Sequence, residues 1–203
     1  ASPGTARSIA RSALGPLARP DLRPGVETPL GALCITPVAV SHDAAQPCGF
    51  RVRCGSLHLA VFTDLGMAPV QIAQAMAGCR LLVLEANHDD DMLWMGPYPM
   101  HLKRRIASPR GHLSNLQTAS LLSAVAGPGL EHVILAHLSA ENNEPERAID
   151  AVRRAVADRG PIGLTAAPRN RPGTAIRLVL EPGRVSDDRS AAPSAPRQLG
   201  LFG

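Results

Sequence analysis

An α/β fold is what this 203-residue sequence predicts, and three observations predict it. Short apolar stretches of strand length alternate with segments of helical spacing, the pattern of a sheet whose strands feed helices. Turn residues, chiefly Gly and Pro, punctuate the stretches. Apolar residues make up 45% of the chain and aromatics 2%, so a sizeable core must be built from Ala, Val, Leu and Ile.

Taken in order, residues 5–14 have helical spacing, with Ile9, Ala10 and Leu14 on one side. ALCITPVAV (32–40), FRVRC (50–54) and LHLAVFT (57–63) read as consecutive strands, the last two joined by a hairpin turn at Gly55-Ser56. APVQIAQAMAG (68–78) is amphipathic at helical spacing, and the apolar run 81–84 is the next strand. A Gly- and Pro-containing loop, MGPYP, leads to a basic helical piece, MHLKRRIA. Ser114 suits the cap of a helix that runs to about Ala126 and stops at Gly127. HVILAHLS is then a strand, EPERAIDAVRRAVADRG a charged helix closed by Gly160, and AIRLVLEPG the last strand. From about Arg184 the composition turns to Ser, Pro, Asp and Arg, which cannot bury a core. One domain is therefore expected over residues 1–183 and a flexible tail over 184–203.

Composition excludes two classes. No apolar run is long enough to span a bilayer, so no membrane partner is expected. Cys34, Cys48, Cys54 and Cys79 form no C-x-x-C pair, and a domain with this much apolar content needs no disulfide scaffold. They read as reduced thiols of a cytoplasmic protein. The net charge of +4 admits nucleic acid as a partner. Abundant Arg, Ala, Pro and Gly read equally well as the coding bias of a GC-rich genome, so charge alone decides nothing.

The most informative residues are those at the ends of the strands. LLVLEANHDD sets Glu85 and His88 at the end of a core strand, where an ionisable group is costly unless it is paired or holds a metal. ITPVAVSHD ends likewise at His42, LAVFTDLG at Asp64 and HVILAHLS at His137, while His112 sits in the tight loop RGHLSN. In α/β sheets the loops at the carboxyl ends of strands converge on one crevice. Imidazoles with a carboxylate suit Zn²⁺, Mn²⁺ or Fe. A single histidine is more often a satisfied surface or core residue, and His58, His101 and His132 are read that way. Four strand ends in one chain favour a metal or acid–base site.

Five segments, VSHDAAQPCGF, FTDLG, LEANHDDDMLWMGPYPMHLKRRI, GHLSN and LAHLSAENN, together resemble the YycJ/WalJ group of metallo-β-lactamase-fold hydrolases. More distantly they resemble tRNase Z. The resemblance covers roughly residues 30–145, with the motifs in the family's order. It implies the C-terminal portion of an αββα sandwich with two divalent metal ions, Zn or Mn, hydrolysing phosphodiesters as a 5′→3′ DNA exonuclease. It also implies that His42 ligates one ion, that Asp64 bridges both and that His137 ligates the second. His112 matches the proton donor and Glu85 the carboxylate that orients it; His88 is expected beside the ligands rather than among them.

The family's first motif, H-x-H-x-D-H, does not occur in these residues, and the chain opens at Ala1 rather than Met. A fragment of a longer protein or a decayed gene product is expected, inactive alone because the metal site is incomplete. Trp94 and Tyr98 precede Lys103, Arg104 and Arg105, a grouping suited to stacking on bases beside bound phosphates. Twenty residues separate Asp64 from Glu85, too few for the large insertion of RNase J-type enzymes. A small-molecule metallohydrolase of the same fold, or an inactive interaction module, are the rival readings. The closing QLGLF places Gln198, Leu199, Leu201 and Phe202 as in the peptide by which bacterial repair proteins dock on the DNA sliding clamp.

Overall fold

The computed structural model describes residues 22–179. They form one seven-stranded sheet whose spatial order follows the sequence: β1 (Thr28–Leu30), β2 (Leu33–Ala39), β3 (Cys48–Cys54), β4 (Leu57–Phe62), β5 (Leu81–Glu85), β6 (His132–Ala136) and β7 (Gly163–Ala166). β1 to β4 pair antiparallel, the β3–β4 hairpin turning at Gly55-Ser56, and β4 to β7 pair parallel. Helix α1 (Val70–Met76) links β4 to β5. α2 (Asp90–Met95), α3 (Met100–Ile106) and α4 (Asn115–Val125) lie between β5 and β6, and α5 (Pro145–Ala155) precedes β7. Among the described residues no helix is long and apolar enough to cross a membrane.

This topology brings the strand ends together. Two antiparallel steps restore direction, so β2 runs the same way as β4, and β4, β5 and β6 are parallel. The carboxyl ends of β2, β4, β5 and β6 therefore open on one rim of the sheet. His42, Asp64, Glu85 and His137 follow or end those four strands.

The core lies under one face. Phe62, Leu82, Leu84, Val133 and Leu135 alternate inward along the strands and meet Ile72 and Met76 of α1, Leu122 of α4, and Ala148 and Val152 of α5. Each fully buried Leu or Ile contributes about 1.5–3 kcal/mol relative to exposure. Val61, Leu81, Val83 and Ile134, on the opposite face, are half-buried. The aliphatic character matches the composition: among the described Phe, Tyr and Trp residues, Phe62 alone is fully enclosed.

Three elements differ from expectation. AIRLVLEPG forms no strand over residues 175–179; β7 is the shorter GLTA beside β6. Gly163 suits that edge because a Cβ there would lie 2.2 Å from His132 Nδ1, and Thr165 Oγ1 meets His132 Nε2 at 3.0 Å. Pairing with β6 outweighs the poor strand propensity of Gly. α2 lies just ahead of the MGPYP loop, where no helix is expected; the Asp89 side chain caps it by accepting from Met92 N at 3.1 Å, and Asp90 and Asp91 fill its first turn. β1 is a three-residue edge strand with no periodicity to announce it. The helix expected at 5–14, the boundary at 183/184 and the tail peptide fall outside the described residues.

Candidate metal centre

The two strand-end residues Asp64 and His137 have positive φ, 59° and 58°, the only non-glycine residues among those described that do. A left-handed conformation costs a non-glycine residue roughly 1–3 kcal/mol and persists only where the surroundings enforce it. Here it ends β4 and β6 abruptly and leaves both side chains over the rim. Asn87 Nδ2 holds the turn after β6 by donating to His137 O at 2.9 Å, while Ser139 N donates back to Asn87 O at 2.8 Å.

Glu85, the last residue of β5, is 0% exposed and accepts five hydrogen bonds. Oε1 takes His137 Nδ1 at 2.7 Å, His112 Nδ1 at 2.9 Å and Asp64 N at 3.3 Å. Oε2 takes Leu65 N at 3.0 Å and Leu113 N at 3.2 Å. Burial alone would raise this carboxyl, but the bonds from His112 and His137 bring it down to about 2. The same bond raises His137 above the ordinary histidine value, against the opposing effect of its burial. Thr118 Oγ1 anchors the strand end through Glu85 O at 2.6 Å. The expected pairing of Glu85 with His112 is present, and the carboxylate holds His137 equally.

These bonds fix the imidazoles. Nδ1 of His42 faces the Gly111 carbonyl at 3.1 Å, and a carbonyl can only accept. Nδ1 of all three histidines is thus a donor, which leaves each Nε2 for a metal or a proton. The rings stand 5.0 Å apart from His42 to His112 and again from His112 to His137. Asp64 Oδ1 lies 3.8 Å from His42 Nε2 and 3.6 Å from His137 Nδ1, beyond hydrogen-bond reach. Two ligands of one tetrahedral ion, each about 2.0–2.1 Å from it, stand roughly 3.3–3.4 Å apart, somewhat closer than either separation. Ligand atoms of His42, Asp64 and His112, and of Glu85, His112 and His137, fall within 4.8 Å of one another. Glu85 is committed to its five donors, which leaves His42, Asp64 and His112 as the group whose ligand atoms converge; His137, expected as a ligand beside His42 and Asp64, converges instead with His112 and Glu85.

Backbone packing sets the loops. A Cβ on Gly66 would lie 2.5 Å from Gly111 N and Ser108 O, and one on Gly111 would lie 2.1 Å from Ile106 O. The Asp64 and His112 loops therefore touch backbone to backbone, and glycine is required at both positions. Asn115 and Asn143 exchange amide hydrogen bonds at 2.9 Å, and Asn143 Nδ2 also donates to Ala86 O at 2.8 Å, fastening the loop before α5 to β5. Sequence reasoning missed Asn87, Asn115, Asn143 and Thr118. Their signal was the crowding of amides and hydroxyls around the strand-end motifs EANHD, HLSNLQT and AENN.

The remaining expected residues separate. His88 is buried, but its ring bonds to none of His42, Asp64, Glu85, His112 and His137. Its Nδ1 has no partner, burial lowers its pKa, and its carbonyl accepts from Asn115 N at 2.8 Å. Lys103 does not face a ligand: it is 6% exposed, and Nζ donates to Trp94 O at 2.7 Å, tying α3 to α2. Its place at the fourth position of a short helix turns it inward, while Arg104 stays exposed. Arg105 pairs with Asp43 Oδ2 at 2.9 Å through Nε, and Asp43 Oδ1 stands 3.3 Å from His42 Nε2. Trp94 is 45% exposed. Tyr98 lines an open cleft of about 800 Å³ with His112, His137, Leu138, Pro168 and Arg169.

Comparison with known proteins gives a consistent picture. Residues 1–138 match the beta-lactamase superfamily domain. Exodeoxyribonuclease YycJ of Bacillus anthracis is 36% identical over 130 residues, 64% of this chain and 49% of that protein, so the chain spans about half the length of this curated relative. Zn²⁺-bound PqqB from Methylobacterium extorquens superposes with a TM-score of 0.60 at 19% identity, covering 88% of this chain and 64% of that one. The metallo-beta-lactamase fold protein YhfI of Bacillus subtilis superposes with a TM-score of 0.52 at 15% identity, covering 71% and 50%. The fold expected from the motifs is the fold found.

Proposed function

The chain belongs to the beta-lactamase superfamily, and on that premise we propose that it is the part of a metal-dependent phosphodiester hydrolase that carries the proton donor and three of the metal ligands. One observation supports this above the rest: a single buried carboxylate, Glu85, holds Nδ1 of both His112 and His137. His42, Asp64 and His137 would hold divalent ions, Zn²⁺ or Mn²⁺. Such ions would polarise the phosphodiester and lower the pKa of a water.

The chain's own residues supply the rest. Glu85 holds His112 Nδ1 at 2.9 Å and leaves Nε2 as the atom that would give a proton to the leaving 3′-oxygen. After donation the neutral ring keeps its Nδ1–H on Glu85 and stays in place. Asp64 contributes the negative charge a cation pair needs, held over the rim by its left-handed backbone.

Similarity to an exodeoxyribonuclease supports DNA as the substrate; 5′→3′ polarity is part of the proposal. Arg104, Arg105, Trp94 and Tyr98 are assigned to the strand; Lys103 is not. The four free thiols support a cytoplasmic site of action. Gln198, Leu199, Leu201 and Phe202 are assigned to the sliding clamp.

The test uses the complete protein on end-labelled single-stranded DNA with Mn²⁺, beside a generic small phosphodiester. His112→Ala should lower turnover about 10²–10⁴-fold while sparing metal content. Asp64→Ala should remove both. Turnover by His112→Ala at the parent rate would end the assignment, and activity confined to the small ester would favour a small-molecule hydrolase.

A further inference from the structure

We propose that the cleft beside His112 seats the terminal nucleotide of the strand and that Arg169 binds that nucleotide's 5′-phosphate. The inference rests on the hydrolase reading and extends it to a residue outside the strand-end motifs. The cleft holds about 800 Å³, within the range of sites that enclose a small molecule, about 300–1,000 Å³. Its lining contains no carboxylate. Apart from the two histidines, Arg169 is its one ionisable cation, and Tyr98 is the ring in its wall on which a base can lie.

Arg169 is placed, not trailing. The chain leaves β7 with Ala167 N donating to Leu135 O at 2.7 Å, one further rung on β6, and Pro168 fixes the next backbone angle. Arg169 Nη2 then donates to Leu138 O at 2.9 Å, the residue after His137. Among the described residues the guanidinium has no other hydrogen-bond partner and no acidic partner. Its remaining N–H groups are free for an anion that offers two acceptor oxygens side by side, and phosphate is the fitting chemistry.

The position of His112 says which part of the substrate enters. It lines the cleft and is also the group read as donating to the leaving oxygen. In the step, water forms a bond to phosphorus, the P–O3′ bond breaks, and O3′ takes the His112 proton. The fragment bearing that 3′-hydroxyl is the leaving group and lies on the cleft side. When it is one nucleotide, its far end is a 5′-phosphate, for Arg169, and its base can stack on Tyr98. The products are a nucleoside 5′-monophosphate in the cleft and a strand with a new 5′-phosphate.

The experiment has two arms, both on the complete protein. In the first, kcat/KM is measured on the same oligonucleotide with a 5′-phosphate and with a 5′-hydroxyl. The parent should favour the phosphorylated end by about tenfold or more, a ratio that Arg169→Gln brings within about twofold and Arg169→Lys partly keeps. In the second, thymidine 5′-monophosphate and thymidine are titrated calorimetrically against parent and Arg169→Gln. The monophosphate should bind about tenfold tighter to the parent only. An unchanged end preference in Arg169→Gln, or equal binding of both ligands by the parent, overturns the proposal. Monophosphate selectivity without hydrolysis of any strand would instead overturn the nuclease reading and leave the subsite standing.

Discussion

Replacing Glu85 by Gln alters one atom and should disable the site. Each of the five neighbours donates to the carboxylate: two imidazoles and three backbone N–H groups. An amide has one accepting oxygen and one donating NH₂. If the NH₂ replaces Oε2 it meets Leu65 N and Leu113 N, which cannot stop donating. If it replaces Oε1 it meets one backbone donor, Asp64 N at the long distance of 3.3 Å, together with His112 and His137, which can accept only by moving their hydrogen to Nε2. The second arrangement is the cheaper, and it removes the lone pair that His137 offers a metal. Two charge-assisted bonds become neutral ones, a loss of about 2–3 kcal/mol. The drop of the Glu85 carboxyl from 4.5 to about 2 points to a similar size, roughly 3 kcal/mol. That stabilisation is fully present above pH 4.5 and fades as pH falls toward 2, so the variant should lose the corresponding part of its acid dependence. Metal affinity should fall about 10–100-fold. Urea unfolding of the complete protein and metal content by mass spectrometry measure both. A Glu85→Gln protein with parental metal affinity would refute the tautomer argument, whatever its stability.

Other perturbations probe different parts of the molecule. Gly111→Ala sets a Cβ against the carbonyls of Ile106 and Arg105, so thermal unfolding should show a loss of about 2 kcal/mol or more, with turnover lost through displacement of His112. Arg51 Nη1 donates to Ala75 O at 2.6 Å and Ala77 O at 2.9 Å, capping the end of α1; Arg51→Ala should cost about 1–3 kcal/mol in urea and leave metal content unchanged. A peptide ending in QLGLF should bind purified bacterial sliding clamp in a fluorescence titration, and Leu201→Ala/Phe202→Ala should abolish the signal; no binding by the parent peptide at high micromolar concentration would end that assignment.

The site was legible in the sequence because its residues break the rules that otherwise govern strands. Glu85 interrupts an apolar run with a charge that a core strand excludes, and Asp64 and His137 come after similar runs; none decides the matter singly, but four together point at one rim. Helix α4 was legible for the opposite reason: Ser114 and Gln117 form a capping box by local rules alone. What escaped depends on partners distant in the chain. β7 contains a glycine that makes sense only against His132, far earlier in the chain. Lys103 sits in a basic cluster whose neighbours reach solvent, and only the approach of α2 supplies the carbonyl that draws it inward. Arg169 lies among prolines and arginines of low information, and its relation to Tyr98 exists only once β7 docks on β6. The second grip of Glu85, on His137, likewise required the parallel register that sets Glu85 opposite Ala136.

The sequential strand order has a consequence for anyone who wants to handle this molecule. Every chemically committed loop leaves the sheet at the same rim, so the turns at the other rim are spare. Gly55-Ser56, the 127–129 turn and the stretch around Gly160 all lie there, and a side chain added at Gly127, Gly129 or Gly160 would meet no atom within 4 Å. Gly127 and Gly129 carry ordinary backbone angles as well, whereas Gly160 has φ of 88° and should be left alone. A dye, an affinity handle or a surface tether at 127–129 would thus sit a full strand length from the imidazoles. The molecule can be immobilised by its blank end with its working end facing the solution.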